Sequence, residues 1–340
     1  MSQIAVIGAG AWGTALSIVL GRKSSHRVRL WAHEKQIYEA LKADRVNQKF
    51  LPGYRIPDCV TPSRDLAEAL EGAAMVVSVM PSQHCRRLFE QMRPHLRPEI
   101  VIVSATKGLE ENSLLRMTEV IAQVVDHSGI ASSRVGALSG PSFAFEVARG
   151  DPTAIAIAST NAELARTVQS EFSDPSFRVY TNHDTVGVEL GGALKNTVAI
   201  AAGICAGLGL GHNSVAALIT RGLAEMTRLA VVCGGKAETM AGLAGLGDLV
   251  LTCTGGPSRN RNVGVELGRG KTLPEILARM QGTVAEGIFT ATAAVGLARA
   301  HGVEMPITER VHAILHQGKD AREAIFELMT RSGKSETPSM

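Results

Sequence analysis

The chain has 340 residues, enough for one large or two ordinary domains, and its 45% hydrophobic and 20% charged content excludes a disordered or fibrous protein. Lys and Arg number 35 against 32 Asp and Glu, a net charge of +3, too even a balance for a nucleic-acid or anionic-membrane binder that works through clustered basic excess. The cysteines (Cys59, Cys85, Cys205, Cys233 and Cys253) are odd in number and form no CxxC pair, and Met1 runs straight into IAVIGAG without a basic leader. Both features predict reduced thiols and a cytoplasmic location, with neither a disulfide framework nor a zinc cluster.

In chain order, β-branched runs at 4–7, 28–31, 75–79, 100–104, 135–139 and 154–158 predict strands, and helical patterns at 12–20, 35–43, 82–92 and 114–125 lie between them. This rhythm predicts a Rossmann-like, doubly wound, mainly parallel sheet whose short strands are buried on both faces. Beyond residue 187 the strand signals fade. Ala-, Leu- and Gly-rich segments at 188–205, 215–233, 273–280, 290–301 and 308–315 predict helices that pack closely through small side chains. The expected organisation is a dinucleotide-binding domain over 1–187, an all-helical substrate and catalytic domain over 188–330, and a polar tail over 331–340. The stretch 196–220 carries no acidic or basic residue and is long enough to cross a bilayer. It holds Gly203, Gly207, Gly209, Gly211, His212, Asn213 and Ser214, however, so a buried helix followed by a turn is expected, and no integral membrane association.

The first strand ends in GAGAWGT, with Gly8, Gly10 and Gly13 in GxGxxG spacing ahead of a helix. In that context the first glycine allows the tight turn, the second lets backbone approach a pyrophosphate, and the third permits close helix–strand packing, while free N–H groups hold the anion. The second strand closes on Leu30, Trp31, Ala32, His33, Glu34. An acid that comes only after His33 repels a 2′-phosphate weakly, so NADP(H) is expected to be accepted beside NAD(H).

Lys195 is the only charge between Glu189 and Arg221, and on a helix its neighbours Gly191, Gly192, Val198 and Ala199 leave room for a ligand beside the amine. A snorkelling lysine or a buried ion pair is the structural alternative. Asp248, alone between Glu238 and Arg259, needs a partner; Lys195 suits it, whether as a site or as a bridge. Arg259, Asn260 and Arg261 follow Gly255-Gly256-Pro257 in an expected loop, suited to gripping an anion or merely solvated. Lys107 in SATKGLE, and Gly140, Pro141 and Ser142 in LSGPSFAFE, follow predicted strands, where open parallel sheets bind ligands. The histidines show no HExxH or comparable spacing, so no metal is expected.

With GAGAWGT, VMPSQ, SATKGLE, LSGPSFAFEVA, ELGGALKNTVAIAAG, AGLGDLVLTCTG, SRNRNVG and VAEG in this order, the sequence resembles the NAD(P)-dependent glycerol-3-phosphate dehydrogenases of bacterial type, from Ile4 to about Ile325. The resemblance implies reversible hydride transfer between NAD(P)H and dihydroxyacetone phosphate, giving sn-glycerol 3-phosphate for phospholipid synthesis, in a homodimer. It implies Lys195 as catalytic proton donor and acceptor, with Lys107, Gly140, Ser142, Asp248, Ser258, Arg259 and Asn260 on the substrate. Asn196 and Thr252 flank these motifs as further site members. Ala11, Trp12, His33, Lys107, Ala144, Arg259, Val284 and Glu286 are implied cofactor contacts. The family often carries Ser at position 11 and Arg at position 33. Desolvation and Lys107 would lower the Lys195 pKa and Asp248 would raise it; the sequence leaves that contest open.

Overall fold

The structure, a computed structural model, describes residues 2–126, 129–280, 284–333 and 335–336. Strands and helices alternate first: β1 (Ser2–Ile7), α1 (Ala11–Gly21), β2 (His26–Trp31), α2 (Lys35–Ala43), β3 (Val46–Asn47), β4 (Leu51–Arg55), β5 (Val60–Ser63), α3 (Leu66–Leu70), β6 (Met75–Ser78), α4 (Cys85–Met92), β7 (Val101–Ser104), α5 (Met117–Val125), β8 (Val135–Ser139), α6 (Ala144–Arg149), β9 (Thr153–Ala158), α7 (Ala162–Phe172) and β10 (Phe177–Asn182). Helices follow: α8 (Thr185–Gly207), α9 (His212–Val232), α10 (Ala237–Met240), a π turn at Leu243–Gly247, α11 (Asp248–Thr254), α12 (Arg259–Gly268), α13 (Leu273–Arg279), α14 (Glu286–Ala300), α15 (Pro306–His316) and α16 (Ala321–Met329).

Eight strands form one sheet in the order β10-β9-β8-β7-β6-β1-β2-β5, and β3 pairs with β4 apart from it. Neighbours in the large sheet run parallel, except that β8 and β9 are antiparallel. The strand β1 shows why its sequence is an unbroken apolar run: Ile4 and Val6 enter one core with α1 and α7, while Ala5 and Ile7 enter another with α4 and α5. The expected doubly wound sheet is therefore present. Of its eight strands, the two that the periodicity did not predict, β5 and β10, are its edges, and the separate pair β3 and β4 was not predicted either. Pro62 sits in β5, where an edge tolerates a missing N–H, and β10 begins with Phe177 and Val179 buried but Arg178 and Tyr180 exposed, so neither reads as a buried apolar run. The helices α3, α6, α7, α10, α11, α12 and α16 also escaped prediction.

The helix α8 is the axis of the second half and packs against α9, α11, α12 and α14. It is long and apolar enough to cross a membrane, but most of it is buried inside the protein, and the charge-free stretch breaks between Gly207 and His212 as expected. Its contact with α12 is backbone against backbone. A Cβ on Gly203 would lie 2.0 Å from the Arg261 carbonyl oxygen, and one on Gly264 would lie 2.0 Å from that of Ile200.

Candidate active site

The glycine loop has the geometry that its spacing predicts. Gly8 adopts φ +121°, and a Cβ there would stand 2.0 Å from the Val79 oxygen. A Cβ on Gly13 would stand 1.8 Å from the Gly8 oxygen, so α1 lies directly on the loop. Gly10 caps α1 with no side-chain hydrogen bond, and a Cβ on it would meet nothing within 4 Å. Tight turn, close packing and open approach thus fall to the first, third and second glycine respectively, and the fit to a dinucleotide pyrophosphate is good. Ala11 and Trp12 open α1, and Trp12 Nε1 is buried without a hydrogen-bond partner among the described residues. His33 is exposed beyond β2, its ring centroid 5.7 Å from that of Trp31.

The sheet also presents Lys107 after β7, and Gly140 and Ser142 after β8. Facing them from the helical half, Asp248, 1% exposed, starts α11 and accepts from two ammonium groups. Lys195 Nζ donates to Oδ1 at 2.5 Å and Lys107 Nζ to Oδ2 at 2.7 Å. Lys195 also donates to Thr252 Oγ1 at 2.8 Å, and that hydroxyl donates its own proton to the Asp248 carbonyl one turn back, at 2.6 Å. Lys107 and the Ser142 hydroxyl both donate to the Gly140 carbonyl, at 3.1 and 3.0 Å. One carboxylate between two ammonium groups leaves net positive charge, which suits an anionic ligand. Burial lowers the Lys195 pKa to about 8; Asp248 opposes the shift and Lys107 assists it. Desolvation thus outweighs the ion pair.

Two expectations need correction. The glycines one turn before Lys195 do not hold open the space for a ligand: a Cβ on Gly191 would come 2.5 Å from the Ala244 oxygen, and one on Gly192 would come 2.5 Å from Ser139 Oγ. They let α8 press against the π turn and the end of β8. Nor do residues 259–261 form a loop. They are the first turn of α12, whose N-cap Ser258 accepts from the Arg261 N–H at 3.2 Å. Arg259 is exposed there, and its side chain makes no hydrogen bond among the described residues.

Asn260 is buried and bridges three helices: its Nδ2 donates to Asn196 Oδ1 at 2.9 Å, and its Oδ1 accepts from the Gly287 N–H at 2.9 Å. Asn196 in turn donates to the Gly192 carbonyl at 3.3 Å. Ala144 opens α6, and Val284 lies half-buried just before α14. Glu286 opens α14 and reaches the sheet half, where Ser82 donates to it from Oγ at 2.7 Å and from its backbone N–H at 3.3 Å. Burial raises the Glu286 pKa against those bonds. Ser82 had no role in the sequence reading, although it stands in the VMPSQ segment that follows β6; only its pairing with a residue 204 positions away reveals one.

A dinucleotide loop sharing one sheet edge with a buried lysine of reduced basicity is the equipment of a nicotinamide-dependent dehydrogenase of the Rossmann class. Within that class, the chain belongs to the NAD-dependent glycerol-3-phosphate dehydrogenase family, whose N-terminal part matches residues 3–165 and whose C-terminal part matches residues 184–326. It is 66% identical over 336 residues to glycerol-3-phosphate dehydrogenase [NAD(P)+] of Koribacter versatilis, covering 99% of each chain. It is 54% identical to the Acidobacterium capsulatum enzyme of the same name, covering 99% of this chain and 100% of that one. The crystal structure of glycerol-3-phosphate dehydrogenase from Coxiella burnetii superposes with a TM-score of 0.92 at 43% identity, covering 97% of this chain and 99% of that one.

Proposed function

We propose that this NAD(P)-dependent enzyme reversibly reduces dihydroxyacetone phosphate to sn-glycerol 3-phosphate for phospholipid synthesis, as a cytoplasmic homodimer, with Lys195 as proton donor and acceptor. The dinucleotide would be held by residues 1–187, chiefly at Gly8, Gly10, Ala11, Trp12, Gly13 and His33, with Lys107, Ala144, Arg259, Val284 and Glu286 closing on it. The substrate would be held by the helical residues 188–330 and the strand ends facing them. When bound, the nicotinamide supplies or takes up the hydride at the carbonyl carbon. The observation that carries the reading is the buried Lys195 ammonium, held between Asp248 and Thr252 with its basicity lowered.

During reduction a Lys195 N–H proton passes to the carbonyl oxygen, so that the double bond becomes a secondary alcohol and the lysine becomes a neutral amine. During oxidation the amine takes that proton back. Asp248 and Thr252 accept from two ammonium N–H bonds and so leave the third free to point at the substrate. Lys107, Gly140, Ser142, Asn196, Ser258, Arg259 and Asn260 would surround the rest of the substrate. The Arg259 fork, which has no hydrogen-bond partner among the described residues, suits the phosphate, a remote group whose binding orients the carbonyl.

The test follows absorbance of NADPH, and separately NADH, as the folded protein meets dihydroxyacetone phosphate or unphosphorylated dihydroxyacetone. Oxidation only with the phosphorylated ketone is expected. Lys195→Ala should lose at least about a hundredfold in kcat while still binding NADPH. No oxidation by protein that binds NADPH would overturn the substrate assignment.

A further inference from the structure

In a dinucleotide fold, an acid at the end of the second strand accepts the adenosine ribose 2′-hydroxyl and repels a 2′-phosphate. Here Trp31 ends β2 beside Ile7, and the Gly8 N–H donates to the Trp31 carbonyl at 3.2 Å, so His33 and Glu34 emerge next to the glycine loop. Glu34 is not available as a free carboxylate, because its Oε2 accepts from Lys49 Nζ at 2.7 Å.

Lys49 is not a chance visitor. Two residues before it, the fully buried Asn47 donates from Nδ2 to the Ala9 carbonyl of the glycine loop at 2.8 Å and to Thr14 Oγ1 of α1 at 2.9 Å. The same side chain accepts from the Phe50 N–H at 3.1 Å, and the Lys49 ammonium lies 4.8 Å from the Phe50 ring centroid. The turn between β3 and β4 is thus fastened to the loop that would hold the pyrophosphate. A half-exposed ion pair contributes little to stability, so its place beside the ribose matters more than its strength.

We propose that Lys49 sets the cofactor preference of this enzyme, masking the Glu34 carboxylate that would repel a 2′-phosphate and offering that phosphate its remaining ammonium N–H bonds beside the His33 ring. The inference rests on the dinucleotide-binding reading of the glycine loop and holds whatever the second substrate is. It is tested on the full chain by calorimetric titration with NADP+, NAD+, adenosine 2′,5′-bisphosphate and AMP, beside kcat/KM for NADPH and NADH. Lys49→Met should weaken NADP+ and the bisphosphate by about tenfold or more while NAD+ and AMP change less than about twofold, the size expected for one charge-assisted contact. Glu34→Gln in the Lys49→Met background should recover part of the NADP+ loss, because it removes the unmasked carboxylate. Equal weakening of both dinucleotides, or of neither, in a variant with unaltered circular dichroism overturns the proposal. If the unsubstituted chain binds neither dinucleotide, the glycine-loop reading falls and takes Lys49 with it. If it binds both but turns over no dihydroxyacetone phosphate, only the substrate assignment fails, and the binding ratios still decide the role of Lys49.

Discussion

Lys195 and Asp248 were legible as partners because each is the sole charge in a long apolar stretch, and an unpaired buried charge is costly. The second lysine on the carboxylate was not, since nothing local links residues 107 and 248; their meeting depends on the order of the sheet and the seat of α11. That third charge matters for the chemistry. With the Lys195 pKa lowered to about 8, carbonyl reduction, which needs the ammonium, should lose kcat as pH rises through about 8, and alcohol oxidation, which needs the amine, should gain it over the same interval. Lys107→Met removes one of the influences that lower the pKa, so both midpoints should move to higher pH, apart from any rise in KM. Profiles of kcat against pH in each direction measure this, and midpoints that stay in place in the variant would refute the coupling.

Elements whose sequences face two cores were easy to find, and those at boundaries were not. The edge strands carry exposed polar residues or a proline, and the start of α12 hid behind a Gly-Gly-Pro turn although Ser258 is a good N-cap residue that a capping argument would have caught. A helix capped from another element is harder still. The helix α15 begins at Pro306 without a side-chain cap of its own, and the buried Glu225 of α9 supplies one: it accepts from the N–H groups of Ile307 at 2.7 Å and Thr308 at 3.2 Å, and from the Thr308 hydroxyl at 3.3 Å. Burial nevertheless pushes the Glu225 pKa up from 4.5 to about 7. Between those values the folded chain holds a proton that the unfolded chain has released, so this group favours folding at low pH and loses that contribution as pH rises through about 7. The loss amounts to a few kcal/mol, because each tenfold change in proton affinity is worth roughly 1.4 kcal/mol. Urea unfolding should therefore show stability falling from about pH 5 to about pH 8, with a shallower fall in Glu225→Gln. Equal slopes in the two proteins would remove Glu225 as the cause.

Across the whole molecule, composition divides the chain into a sheet half and a helical half, but the polar contacts tie the halves together. Lys107 meets Asp248, Ser82 meets Glu286, and Arg116 donates to Glu189 of α8 at 2.7 Å, where the Thr118 N–H and hydroxyl also converge. None of these partners could be chosen from sequence, because each joins residues more than 70 positions apart. They have a thermodynamic consequence. If the helical half unfolded alone, Lys107 would lose Asp248, Arg116 would lose Glu189 and keep only Glu119, and the buried apolar contact of Ala137 and Ala158 with Val188 and Ala244 would be opened to water. Such an intermediate lies above both end states, so the halves should unfold in one transition despite a length at which intermediates are common. The sequence offers a clean way to see this. Trp12 and Trp31, the chain's 2 tryptophans, both lie in the sheet half, whereas far-ultraviolet circular dichroism weights the long helices after Thr185. Urea curves from tryptophan fluorescence and from circular dichroism should coincide in midpoint and slope. A dichroism transition that precedes the fluorescence one would mean that the helical half lets go first and that the bridging pairs are too weak to couple the two.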